Sequence, residues 1–261
     1  MSYAVDYVTV TQWGDKYKVC VTKKVFKDNF QRKEKDNWAS YEEKLSNSIS
    51  RTKQTLIGYG VSNDWDLFCT FTLNKDKYDR YNLNAFYTDF TQFLRNLRRG
   101  LKCDIQYLLI PEMHEDGAWH MHGFIMGLPL RMLREFTLED KLPNKLREKL
   151  SRGETVYDFP KYRDKFGYCT LEPLRSSEHA IYYMMKYISK DFIELATSVG
   201  CHLYYVSRGL KKPPLVGIGT TTGKAVEYDY EGDYAKIKKY DSIQQVWSDF
   251  CILEGQEKEP F

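Results

Sequence analysis

The sequence predicts an α+β fold built around a mostly antiparallel sheet, and three observations carry that prediction. Stretches with two-residue alternation recur, at "WDLFCTFTL" (65–73), "CDIQYLLIPEM" (103–113), "GAWHMHGFIM" (117–126) and "GYCTLEPL" (167–174). Only a short polar turn separates the second from the third, too little chain for a crossover, so those two must be antiparallel neighbours. Between these runs lie segments whose apolar residues recur at helical spacing, the mixture expected of helices packed on one sheet.

Taken in order, "YAVDYVTV" and "KYKVCVT" read as a hairpin. The charged stretch "KDNFQRKEKDNWASYEEKLSNSISRTKQTL" reads as a helix. In the 65–73 strand, Leu67, Cys69, Phe71 and Leu73 share one side, and Phe68, Thr70 and Thr72 the other. Phe86, Phe90, Phe93, Leu94 and Leu97 mark a helix from Asn84 to about Arg99, stopped by Gly100. A charged, helical insert is expected over 130–152. "SSEHAIYYMMKYISKDFI" reads as one helix with Ser176 or Ser177 as N-cap, and "CHLYYVSRG" (201–209) as a last core strand. The expected organisation is a hairpin-and-helix extension over 1–60, a core domain over 61–210 and a C-terminal extension over 211–261.

Composition narrows the class. At 261 residues and 42% apolar, the chain can form a core, and it has no apolar run near 18 residues, so a soluble cytoplasmic protein without membrane contact is expected. Six cysteines (20, 69, 103, 169, 201, 251) are scattered with no C-x-x-C pair, which argues against a disulfide framework or a cysteine-rich zinc site. A net charge of +3 says little, but its distribution says more. Arg95, Arg98, Arg99 and Lys102 cluster in "RNLRRGLK", and Arg208, Lys211 and Lys212 in "SRGLKK". With 21 tyrosines and 14 phenylalanines, these make single-stranded nucleic acid a candidate partner.

His120 and His122 flank Met121 in a strand, so their rings share one face, roughly 7 Å apart by strand rise. A third donor depends on the preceding turn. If the loop is Glu115–Asp116–Gly117, with Gly117 in the left-handed conformation, His114 pairs with Ala118 and Glu112 falls opposite His120. A two-residue Asp-Gly turn would slip the register by one and aim Glu112 away. One carboxylate and two imidazoles with open positions suit Mn²⁺ or Mg²⁺, zinc being possible, with His114 in reserve. His179 and His202 read as structural or surface residues.

On a helix, Tyr183, Lys186, Tyr187 and Lys190 fall at i, i+3, i+4 and i+7, one face, while Met184 and Met185 turn to the core. Phenol attacks only as phenolate, and its ordinary pKa is about 10. A neighbouring ammonium favours the phenolate and stabilises charge on an attacked phosphate. Tyrosine, lysine and a divalent ion that polarises a phosphate oxygen make a coherent set.

These residues resemble the motifs of the HUH endonucleases, and among them the rolling-circle replication initiators of phages and plasmids. "LFCTFTL" resembles the first motif, "HMH" (120–122) the His-hydrophobe-His second, and "YMMKYISK" the Tyr-x-x-Lys-Tyr-x-x-Lys third, in order across about residues 65–210. The resemblance implies a five-stranded antiparallel sheet of RRM-like character with helices packed on it, and metal ligands His120, His122 and Glu112 on its central strands. It further implies a metal-dependent, sequence-specific nickase and ligase of single-stranded DNA acting through a 5′-phosphotyrosine. Tyr187 fits the pattern of relatives with a single tyrosine, leaving Tyr183 as a second nucleophile, an assistant or a structural residue. The implied partners are single-stranded or hairpin origin DNA and, since "GIGTTTGKAV" (217–226) fails the spacing of a phosphate-binding loop, a host helicase with a DNA polymerase. That segment reads as a glycine-rich loop. The other readings are a non-catalytic RRM-like nucleic-acid-binding module and a related HUH transposase or relaxase.

Overall fold

Two long strands, β1 (Ser2–Trp13) and β2 (Lys16–Lys27), pair along their whole length about a turn in which Gly14 sits at φ 65. After them come α1 (Tyr41–Val61), β3 (Leu67–Thr72), α2 (Leu83–Leu101), β4 (Gln106–Met113), β5 (Trp119–Met126), β6 (Arg134–Glu135), α3 (Asn144–Ser151), β7 (Tyr157–Asp158), α4 (Pro160–Lys165) and β8 (Cys169–Pro173). The chain continues through α5 (Ser177–Met184), α6 (Lys190–Ser198), β9 (Tyr205–Val206), β10 (Leu215–Thr221), β11 (Tyr230–Glu231), β12 (Ala235–Tyr240), α7 (Ile243–Asp249) and β13 (Phe250–Glu254). This computed structural model describes residues 2–27, 40–232 and 235–254. It divides the chain into two units, one of residues 40–211 and one formed by the chain on either side. The first part of the helix expected from residue 27 onward lies outside the described residues.

In the 40–211 unit the sheet order is β6-β7-β8-β3-β5-β4-β9, with every neighbouring pair antiparallel. Seven strands stand where five were expected. Three of them, β6, β7 and β9, are two residues long, too short to show as alternation in sequence. The 201–209 strand is therefore only a short edge rung on β4. The four long strands lie in the order β8-β3-β5-β4, and α2 crosses from β3 to β4 while β5 fills the gap between them. Of the 130–152 insert, only α3 and a short 3-10 turn at Leu130–Met132 are helical.

Alternation decides what covers each face. Leu67, Cys69 and Phe71 of β3 are buried. Phe71 meets Phe90 of α2 (ring centroids 5.1 Å) and Tyr162 of α4 (4.7 Å), and Phe86, Leu94 and Leu97 complete that layer. Each such ring or aliphatic side chain contributes about 1.5–3 kcal/mol by leaving water. On the other face, Phe68 and Phe124 pack together (6.0 Å), with Trp65 stacked on Phe124 and Tyr183 against Phe68. The same face carries Leu108 and Ile110, both buried, and then the polar set of Thr70, Thr72, Glu112, His120 and His122.

One close approach fixes the centre. Gly123 opposes Leu109 across the β4–β5 ladder, and a Cβ there would lie 1.9 Å from the Leu108 carbonyl oxygen. Gly123→Ala is expected to destabilise the unit by about 3 kcal/mol or more, since backbone rather than a flexible side chain must yield. Urea unfolding with an unchanged midpoint would contradict this.

Three local expectations are corrected. Helix α2 does not stop at Gly100: it runs to Leu101 and is closed by Lys102 at φ 51, whose N–H reaches the Arg98 carbonyl. The Arg98 guanidinium, donating to the Ile105 carbonyl, ties down this exit. The single helix over 176–193 is instead α5, a 3-10 turn at Met185–Tyr187, and α6, because the Ser189 hydroxyl accepts from the Phe192 N–H (3.1 Å) and caps a new helix. Finally, α1 groups with the core rather than with the hairpin. Gly60 lets it sit on α5, where a Cβ would come within 2.6 Å of Ile181, and the Trp65 indole N–H donates to the Gly60 carbonyl (3.1 Å).

The second unit is an antiparallel sheet ordered β11-β12-β2-β1-β10-β13. Val8, Val10, Val19 and Val21 form its core with Tyr240, Val246 and Phe250. Residues 215–221, read as part of a glycine-rich loop, are strand β10. Gly219 permits the close pairing with β13, since a Cβ would lie 1.9 Å from the Cys251 carbonyl oxygen. Among the described residues, no helix is long and apolar enough to cross a membrane.

Candidate active site on the open face of the sheet

The β4–β5 turn takes the three-residue form. His114 N–H donates to the Ala118 carbonyl and Gly117 N–H to the His114 carbonyl, both at 2.9 Å, with Gly117 at φ 80. The Asp116 carboxylate accepts from Ala118 N–H (3.1 Å) and pairs with Arg80 (2.8 Å), which pins the loop. The register therefore sets Glu112 opposite His120.

Strand β3 supplies what sequence reasoning missed. Thr72 faces His120 and Thr70 faces His122, each Oγ1 lying 3.1 Å from the ring Nδ1. Where the Thr72 hydroxyl accepts from His120 Nδ1–H, the His120 Nε2 keeps its lone pair, the arrangement that supports a metal-binding imidazole. His122, whose Nε2–H points at the Glu112 carboxylate, instead accepts from the Thr70 hydroxyl at Nδ1. The signal was present in the alternation of β3, which put Thr70 and Thr72 opposite its buried side. Burial, with His114 and His122 nearby, lowers the His120 pKa to about 4, so its ring is neutral at pH 7. The His122 pKa is also lowered, chiefly by burial, against the opposing pull of Glu112.

His122 Nε2 stands 2.7 Å from Glu112 Oε2. His120 stands further off, its ring centroid 6.5 Å from that of His122, and His114 stacks on it at 3.7 Å. Among the described residues, no three His, Cys, Asp or Glu side chains are already drawn together at metal-holding distance. The donor types, one carboxylate and two imidazoles on one face, nevertheless suit a divalent ion, and Glu112 and His122 already touch.

The tyrosines stand beside these donors. The Tyr187 ring lies face to face on His122, with centroids 4.7 Å apart and planes within 1°. Tyr183, exposed on α5, meets Tyr187 edge-on at 6.2 Å. Lys186 Nζ donates to the Tyr183 hydroxyl (2.5 Å) and lies over both rings, at 3.8 and 4.7 Å. The ammonium hydrogen bond, aided by one from Tyr187, lowers the Tyr183 pKa despite partial burial. Burial, and donation to Tyr183, push the Tyr187 pKa up. Lys190 does not share this face in a continuous helix, because the break at 185–189 makes it the exposed first residue of α6.

The basic residues are not gathered here. Arg95, Arg98, Arg99 and Lys102 belong to α2 and its cap, on the layer behind the sheet. Arg98 is further engaged with the Ile105 carbonyl and Asp104 (3.3 Å). Arg208 follows the edge strand β9, the Lys211 backbone is held at both N–H and carbonyl by Asn63 (2.9 Å each), and Lys212 begins the other unit.

An antiparallel sheet presenting two imidazoles, a carboxylate and a tyrosine–lysine cluster on one open face defines a candidate phosphoryl-transfer centre. Residues 66–192, a little under half of the chain, match a family model of replication-associated proteins, the ORF2 type. The chain is similar to that family over the segment that contains every residue of this centre, which supports a role in initiating replication. No curated protein and no solved structure matches it.

Proposed function

We propose that the protein is a rolling-circle replication initiator of the HUH type, nicking and rejoining single-stranded DNA through a tyrosine. The observation that carries this is the stacking of Tyr187 on His122, itself in contact with Glu112, inside the segment similar to replication-associated proteins. A divalent ion such as Mn²⁺ or Mg²⁺, held by Glu112, His120 and His122, would polarise a non-bridging oxygen of the scissile phosphate.

The chain's own groups do the rest. The Tyr187 oxygen forms a bond to phosphorus as the bond from phosphorus to the 3′ oxygen breaks, giving a 5′-phosphotyrosine and a free 3′-OH that can prime a polymerase. Tyr183, whose phenolate Lys186 favours, accepts the Tyr187 proton, and that proton is returned to the leaving 3′ oxygen. The reverse reaction rejoins ends. Strand separation at the origin is assigned to a host helicase.

The test is incubation with a library of single-stranded and hairpin oligonucleotides and Mn²⁺, followed by sequencing of whatever becomes covalently attached. A dominant junction sequence is expected. No adduct with any divalent ion would overturn the proposal and favour a non-catalytic RRM-like binding module.

A further inference from the structure

Helix α2 turns a second set of polar side chains away from the sheet. Gln92, Arg95, Asn96 and Arg99 fall at i, i+3, i+4 and i+7, and all four are exposed. They form one ladder: Arg95 Nη1 donates to Gln92 Oε1 (2.8 Å), Gln92 Nε2 to Asn96 Oδ1 (2.8 Å), and Arg99 Nη2 to Asn96 Oδ1 (2.7 Å). No carboxylate occurs from Thr91 to Cys103; Asp89, a turn earlier, is bonded by the Tyr78 hydroxyl, and Asp104 pairs with Arg98. Lys102 extends the positive charge at the helix end. Lys165 of the adjacent α4 extends it sideways, its Nζ 6.0 Å from the Phe93 ring centroid.

From this we infer that the outer face of α2 binds duplex DNA, at a site separate from the tyrosine–histidine centre. Two physical arguments choose duplex over single strand. Single strands are held by rings on which bases stack, and α2 has no ring to spare. Tyr87 is packed on Tyr205 at 4.0 Å, and Phe93 on Phe159 and Phe166 at 5.7 and 5.6 Å. On the other side of the sheet, by contrast, Tyr183 is 55% exposed. A helix bearing arginine, asparagine and glutamine is also the shape and chemistry that enters a B-form major groove, where arginine reads guanine and the amides read adenine. Because α2 packs behind the sheet, DNA on it is a different stretch from the strand at Tyr187. A hairpin or duplex flanking a single-stranded nick site would supply both. The inference does not depend on the nicking chemistry.

The test uses the full chain and anisotropy with three labelled probes: short DNA duplexes with a randomised core, RNA duplexes of the same length, and oligo-dT. Native protein is expected to prefer duplex DNA to duplex RNA, whose deep, narrow major groove excludes a helix. Replacing Arg95 and Arg99 together by alanine should lower the ratio of duplex-DNA to oligo-dT affinity by about tenfold or more, and flatten the salt dependence by roughly two counterions. Arg95→Lys with Arg99→Lys should restore the salt slope. Equal binding of both duplexes, or an unaltered ratio and slope in the alanine variant, would overturn the assignment. Both pairs replace exposed residues, so unchanged thermal melting is expected and confirms that the fold is intact. If duplex binding behaves as stated while no covalent adduct ever forms, the nicking proposal falls and this one stands.

Discussion

Tyr187→Phe is expected to give no covalent DNA adduct, whereas Tyr183→Phe still gives one, at a rate reduced about 10²–10⁴-fold, the usual worth of a positioned proton acceptor. The asymmetry follows from the pair's geometry. Tyr187 stacks on a histidine of the donor set, while Tyr183 is the phenol that Lys186 holds toward its phenolate. Losing Tyr183 removes the group with the lowered pKa, so the alkaline rise in rate should move to higher pH in that variant. Lys186→Met should do the same while leaving the attacking hydroxyl in place. The measurement is denaturing-gel capture of the oligonucleotide selected from the library, followed over pH. Capture by Tyr187→Phe at the native rate, with none by Tyr183→Phe, would exchange the two roles.

The second large effect concerns the ion. His120→Ala is expected to abolish Mn²⁺-dependent adduct formation while DNA binding persists, and EDTA should do the same to the native chain. Thr72→Val keeps every donor but releases the His120 Nδ1, and losses of this kind cost about 10–100-fold in metal affinity. Calorimetric titration with Mn²⁺ reads both. The pH dependence has a defined sign. Burial holds His120 neutral, with its pKa lowered to about 4, so the ring gains its proton, and ceases to be a ligand, only as pH falls toward that value. Ion binding by Thr72→Val equal to that of the native chain would remove the threonines from the site's support.

Much of the core was legible because alternation is a local property. Burial of Leu67, Cys69 and Phe71 could be read from β3, and the facing of His120 and His122 from β5. Strand β9 and the short strands β6 and β7 were not legible as such, because two residues carry no period. The third motif shows the same limit. Its residues were readable at helical spacing, yet Ser189 interrupts that helix by capping the next, and only the folded chain shows that Tyr187 then lies in a tight turn against His122.

By itself, the sequence determined the long core strands β3, β4, β5 and β8, the body of helix α2, and the chemistry within each: which strand face is apolar and which carries the imidazoles. It left two loop lengths open before His120, and so two possible aims for Glu112. Tertiary structure decided that Gly117 adopts the left-handed turn, that Glu112 reaches His122, and that Thr70 and Thr72 hold the rings from the neighbouring strand. It also set the α2 arginines behind the sheet, away from the tyrosines with which composition had grouped them. The physical reason is that side-chain direction follows from local periodicity, whereas register and the layer on which a helix packs depend on contacts between residues far apart in the chain.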